Sequence, residues 1–489
     1  MKTINIFIPS LLALVFLSCE KQLEIKPISS LSVDNFYNSV SDFEQSVNGV
    51  YSSLKNYPLW LLRLSETRSD NIYAVMDGAR DFEPINHFKS SLSSVGFIKS
   101  VWSEIYTGLM RANTTLDQLD NGVVTDNAIK NRMEGELKFL RGLYHFTLLR
   151  FFGRVPVISK AVSAEQALAI PRSPVADVYA IVIEDLEQAI SLLPDLPSQT
   201  GKATKDAARA LLANVYLTRS GPKHGIDGAG QESNDYNKVI ELVNQITPRA
   251  WVANYADIFS YTNENNADIL FDVQLVNQLG LGSSYPGDLL GEGYFRSLSA
   301  ANLSGKPQNV EASKDLFNSF DPGDLRRGFT IQHGYIDNGN FVDVRIMVKF
   351  VDPTRIPVNS NWGINFPVIR YTDALLMKAE AIIKGGTPGL QSDADDIINR
   401  VRARAGLDPL TGATFGQLME ERRKEFAGEG LRWFDLARTP DIVEKMNAWI
   451  AAEDNFGLID DVIPNYIIYP LPSSEIDVKK GLYDQNPGY

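Results

Sequence analysis

The sequence predicts a mostly α-helical protein: a tetratricopeptide-like scaffold of helical hairpins carrying a loop-rich, irregular insert with short strands as its binding face. Three observations predict it. Apolar residues step by three and four through much of the segment 19–250. That periodicity fades over 251–370, where Gly280, Gly282, Gly287, Gly291 and Gly293 crowd around Tyr285, Tyr294 and Phe295. It returns in 371–489, which closes on Pro464, Pro470, Pro472 and Pro487, residues that helix interiors exclude. No strict repeat signature is present, so the hairpin array rests on helix spacing.

Residues 1–18 have the layout of a signal peptide: Lys2, then a mostly apolar run over 4–17 broken by Asn5 and Ser10, then small Ser18. The run is too short to span a bilayer. Cys19 follows directly and is the one cysteine of the chain, so no internal disulfide can form. The arrangement resembles a bacterial lipoprotein signal, in which this cysteine becomes the lipidated first residue, although Phe16 departs from the usual leucine. A polar tether covers 20–32.

Helices are expected over 41–56 and 97–119. Leu137, Leu140, Tyr144, Leu148 and Phe151 share one face of another, which ends before Gly153 and Pro156. Val182, Leu186, Ala189 and Leu193 repeat the pattern after a Ser173 cap with Pro174 at the first helical position. Ala208, Leu212 and Val215 do so after Thr204, and 236–245 follows. Within the insert, 269–275 and 341–350 alternate as strands do. Helices resume at 371–383, 392–405 and 414–427, the last opening with Thr414 and Gln417 in capping-box spacing.

With 47 Lys plus Arg against 60 Asp plus Glu, the net charge of −13 has the wrong sign for a partner of nucleic acid. Metalloprotease, phosphate-loop, nucleophile-elbow and dinucleotide signatures are all missing. The four histidines, His87, His145, His224 and His333, are scattered, and His145 reads as a packed helix residue rather than a base. Among 60 acids a hydrolytic carboxylate pair stays open.

Four segments together resemble the SusD/RagB family of outer-membrane nutrient-binding lipoproteins of Bacteroidetes. They are 139–156 (FLRGLYHFTLLRFFGRVP), 370–381 (RYTDALLMKAEA), 421–438 (ERRKEFAGEGLRWFDLAR) and 469–489, which ends QNPGY. The resemblance implies a surface lipoprotein, lipidated at Cys19, that faces the cell exterior from the outer membrane. It implies capture of a glycan or oligosaccharide and delivery to a SusC-like TonB-dependent transporter, with no catalysis and no cofactor. A peptide-binding lid of the same family is the alternative, and a lipoprotein glycoside hydrolase a further one. In the family, ligands bind a shallow surface formed by N-terminal loops and the insert.

Glu421, Arg422, Arg423, Glu425, Arg432 and Asp435 are expected to form an ion-pair network at three- and four-residue spacing, anchored by Trp433 and Phe434. A glycan site needs other parts, flat aromatic faces and planar hydrogen-bonding groups. These coincide without a helical stripe in 60–88 and 280–362. The candidate ligand-binding residues are Trp60, Asp70, Asn71, Tyr73, Tyr285, Arg345 and Trp362. The two segments are expected to meet on one exposed face.

Overall fold

The computed structural model describes residues 36–75, 81–278, 280–299, 307–357 and 360–489. The expected signal peptide and Cys19 lie outside the described residues. The first long helices are α1 (Val40–Ser52), α2 (Gly96–Gln118), α3 (Asn127–Phe152), α4 (Val175–Leu192), α5 (Lys205–Arg219) and α6 (Tyr236–Asn244). Side-chain caps start several of them. Ser39 and Asp42 form a capping box at α1, and the Asp126 carboxylate accepts from the N–H groups of Ala128 and Ile129 at α3. Thr204 caps α5 as expected, accepting from Ala207 N. At α4 the expectation fails in detail. Ser173 makes no side-chain cap; its backbone bridges Val155, and the helix begins at Val175 with Pro174 outside it.

Consecutive helices pack as neighbours: α2 on α3, α3 on α4, α4 on α5 and α5 on α6. The α2–α3 approach is close because Gly108 carries no side chain: a Cβ there would lie 2.6 Å from the Tyr144 ring. Helix α3 is buried on every side from Leu137 to Phe152 apart from the partly exposed Lys138, more than the single apolar stripe suggests. Its polar residues survive burial through partners, as when Arg141 forms a two-point ion pair with Asp185 on α4, both contacts at 2.7 Å.

The insert then leaves the helical stack. It supplies β2 (Ile269–Val273), β3 (Val310–Ala312), β4 (Ile331–Asp337), β5 (Asn340–Met347) and β6 (Phe366–Arg370), while β1 (Ile72–Ala74) comes from the N-terminal loops. They pair antiparallel as β1–β3, β2–β6 and β4–β5, three separate ribbons among the described residues. Asn338 and Gly339, with φ of 49° and 82°, make the two-residue turn of the β4–β5 hairpin. After β6 the stack resumes: α7 (Tyr371–Ile383) packs on α5 and α6, α8 (Gln391–Arg404) packs on α7, and α9 (Phe415–Phe426) packs on both. Thr414 and Gln417 form the expected capping box of α9. Short α10 (Arg432–Ala437) and α11 (Ile442–Glu453) follow. No described helix is long and apolar enough to cross a membrane.

Candidate ligand-binding face

The structure joins the two segments in which the candidate residues lie. Strand β1 pairs with β3, setting Tyr73 opposite Glu311. The Arg63 guanidinium meets Asp288 at 2.7 and 2.8 Å, and Ser313 donates from Oγ to the Asp70 carbonyl at 2.6 Å. The chain around β1 is therefore fixed to the insert by a ribbon, an ion pair and backbone hydrogen bonds.

Three of the candidate aromatics lie beneath this junction instead of on it. Trp60 is 1% exposed, with its ring against Tyr57 and its Nε1 donating to Glu104 at 2.8 Å. Tyr285 is 3% exposed; its hydroxyl donates to the carbonyls of Ile364 and Asn365, and its ring meets Phe350 and Phe366. Trp362 is 2% exposed in a local core with Leu290, Tyr294, Phe295, Tyr335 and Ile346. Irregular segments of this length must bury apolar area of their own, and large rings do it with few residues. In this conformation none of these rings offers a free face.

Asp70 and Asn71 hold the junction from below. Burial alone would raise the Asp70 carboxyl, but Arg423 and Arg432 overcome it and hold it at about 2 against an ordinary 3.8. Both Asp70 oxygens accept from Arg432 at 2.8 Å. Asn71 donates to Glu66 at 2.8 Å and accepts from Arg423 at 2.9 Å. Glu66 in turn accepts from the N–H groups of Gly428 and Gly430. These contacts belong to the expected network of 421–438, but most partners come from other elements rather than from adjacent turns. Arg422 pairs with Asp373 as well as Asp435, and Glu425 meets Arg326, Arg370 and Arg404. Burial works against the Glu425 charge, yet Arg404, Arg370 and Arg326 bring its carboxyl to about 2. Trp433 and Phe434 are buried, as expected of anchors. His145 is fully buried, and burial lowers its imidazole to about 4, so it stays neutral.

Tyr73 is buried as well, 5% exposed in a core cluster with Phe88 and Trp433, and of the candidate residues only the partly exposed Arg345 reaches the outer edge of the junction. The Tyr73 hydroxyl donates to Asp454 at 3.0 Å, and burial followed by the Asp454 carboxylate pushes it upward, so it remains a donor. Arg345 donates to Glu311 Oε2 at 2.6 Å and to the Ala312 carbonyl at 3.1 Å. On one side, Glu453 accepts from Lys314 N at 2.7 Å, bringing the C-terminal end of α11 against the insert. On the other, the rings of Phe317, His333 and Phe341 step outward with centroid spacings of 5.4 and 6.5 Å. Phe341 and Phe456 are the most exposed aromatic side chains among the described residues, at 61% and 72%. Sequence reasoning missed both. Phe456 carried a readable signal, an aromatic between Asp454-Asn455 and Gly457 where turn residues leave no helix to bury it.

This edge offers guanidinium, carboxylate and hydroxyl groups already oriented by one another, with exposed rings nearby. Such a set can bind hydroxyl-rich ligands. No group of three or more His, Cys, Asp or Glu able to hold a metal ion occurs among the described residues.

Residues 334–489 match the SusD family model, and residues 21–217 match a second model described as starch-binding associating with outer membrane. SusD-like protein P25 of Formosa agariphila is 26% identical, with 100% of each chain covered. Among solved structures, a SusD homolog from Bacteroides thetaiotaomicron superposes with a TM-score of 0.80 at 19% identity, covering 94% of this chain and 98% of that one. A laminarin binding SusD-like protein superposes with a TM-score of 0.72 at 25% identity, covering 93% of this chain and 100% of its own. Both ends of the chain thus match models of the SusD/RagB family, and SusD-like relatives and folds match it along nearly its whole length.

Proposed function

We propose that the protein is a glycan-binding lipoprotein of the outer-membrane surface, which captures oligosaccharide and passes it to a SusC-like TonB-dependent transporter without cleaving it. The observation that carries the reading is the outer edge of the β1–β3 junction, where Arg345 pairs with Glu311, Tyr73 pairs with Asp454, and Phe341 and Phe456 stand exposed on the flanking segments. The likeness to a laminarin binding relative at 25% identity and the starch-binding description of the N-terminal model support the same ligand class.

In this reading the helical parts 19–250 and 371–489 form the scaffold, and 251–370 supplies the binding element. Arg345 contacts the ligand, and the buried Tyr73 orients Asp454 beside it through its hydroxyl. Trp60, Asp70, Asn71, Tyr285 and Trp362 keep the face in shape from beneath it. A few stacked rings and paired hydrogen bonds give dissociation constants between millimolar and micromolar, roughly 4–8 kcal/mol, weak enough for release to a transporter. Cys19 carries the lipid that holds the chain at the membrane.

Affinity electrophoresis against laminarin, starch and a panel of other polysaccharides, with release of reducing ends measured on the same samples, tests the reading. Retardation by at least one glycan without new reducing ends is expected. Release of reducing ends would make the protein a hydrolase, and binding of peptides with no retardation by any glycan would overturn the ligand class.

A further inference from the structure

A second feature lies away from this face, at the C-terminal end of α3. Arg150 is 7% exposed and packs its guanidinium against the rings of Phe146 and Phe434, 4.4 and 4.0 Å from their centroids. Its partners otherwise amount to one long contact, 3.5 Å from Nη2 to the Tyr57 hydroxyl, and its Nε is buried without an acceptor. Among the described residues no carboxylate comes within ion-pair distance of it. Arg141, on the same helix and also buried, shows the usual solution, a two-point pair with Asp185.

A guanidinium does not give up its proton in a protein. Its burial without an opposite charge is among the costlier arrangements available to a fold. Burial pulls the Arg150 group below its ordinary range, and nearby Arg438 adds to that pull. Arg438 cannot share its own counter-charge, because Glu380 meets it at 2.9 Å through both oxygens and Asp435 at 2.8 Å.

Arg150 lines a small, partly open pocket with His224, Ile226, Trp433, Phe434 and Arg438, with about 30 Å³ accessible to a water-sized particle. One such particle needs about 10–15 Å³ on that measure. The space therefore admits two or three atoms of water size.

We propose that this pocket is a binding site for a small inorganic anion, of which a halide is the simplest, held against Arg150. The ion supplies the missing negative charge and ties the end of α3 to α10 and to the loop through His224 and Ile226. Nothing in the glycan reading depends on it.

Two measurements on the purified protein test the site. A crystal soaked in sodium bromide, with data collected at the bromine absorption edge, is expected to show an anomalous peak within about 3.5 Å of an Arg150 nitrogen. Water-only density there, with no anomalous signal, overturns the proposal. In thermal unfolding at constant ionic strength, replacing gluconate by chloride or bromide is expected to raise the wild-type melting temperature by about 1–2 °C and then saturate. Arg150→Met is expected to lose that increment whatever its own melting temperature. An equal halide response in both proteins also overturns the site, and the bromide map on wild type decides the matter if the variant does not fold.

Discussion

Asp70→Asn tests whether the side chains under β1 support the binding face or touch the ligand. In the folded protein the Asp70 carboxyl sits at about 2, against an ordinary 3.8. That lowering corresponds to roughly 2 kcal/mol of stability at neutral pH. Asp70 is 7% exposed, so little of it is screened away, and losing the carboxylate leaves Arg432 and Arg423 short of their counter-charge, which moves the cost toward ~3–5 kcal/mol. Because the folded value is the lower one, the contribution is fully present above about pH 4 and is lost as the pH falls toward 2. Thermal melts of wild type and Asp70→Asn between pH 7 and pH 3 provide the assay. For a chain of this size, ~3–5 kcal/mol is a drop of about 3–5 °C in melting temperature. The gap should narrow below pH 4, while affinity for the retarding glycan at neutral pH should stay within about threefold. A gap independent of pH would refute the electrostatic argument, and lost affinity with unchanged stability would show that Asp70 faces the ligand.

Gly108→Ala places a methyl 2.6 Å from the Tyr144 ring and should destabilise the α2–α3 contact by about 1–3 kcal/mol, read from chemical denaturation. Cys19→Ala should release the protein from the membrane fraction, and a variant that stays with the membrane would count against the lipid anchor. Purification from solubilised outer membranes should recover a large barrel protein with this chain; repeated recovery of the chain alone would argue against the transporter partnership.

Most of the helical scaffold was legible because its signals are local. Thr204 and Thr414 announce their helices through short-range caps, and the stripe from Leu137 to Phe151 marks α3. What the stripe could not give was burial on all sides, since that depends on which helices cover the polar flanks, as Asp185 does for Arg141. The ion-pair network was legible as a network but not in its partners, because Asp70 and Arg370 reach it from distant parts of the chain.

The meeting of the two segments was legible in the sequence, and the exposure of their side chains was not. Missing periodicity around Trp60 has a local cause, a π-helical turn at Leu62–Glu66 that breaks the helical spacing while the ring stays buried. Tyr285 and Trp362 looked like platforms for the same reason, yet they form the insert's own core contacts. Absence of a stripe marks irregular backbone, not solvent. Turn chemistry is the better guide to exposure, as Phe456 shows.

The central claim is that glycan binds at the outer edge of the β1–β3 junction. Isothermal titration of the retarding glycan into wild type and into Tyr73→Phe, Arg345→Ala, Phe341→Ala and Phe456→Ala tests it most directly, with melting temperatures as the control for folding. Loss of a contact at the centre of such a face typically costs about 1–3 kcal/mol, or roughly 5–150-fold in affinity. At least one exposed ring and one of Tyr73 or Arg345 should show a loss of that size without a change in melting temperature. Wild-type affinity in all four variants would place the glycan elsewhere on the protein.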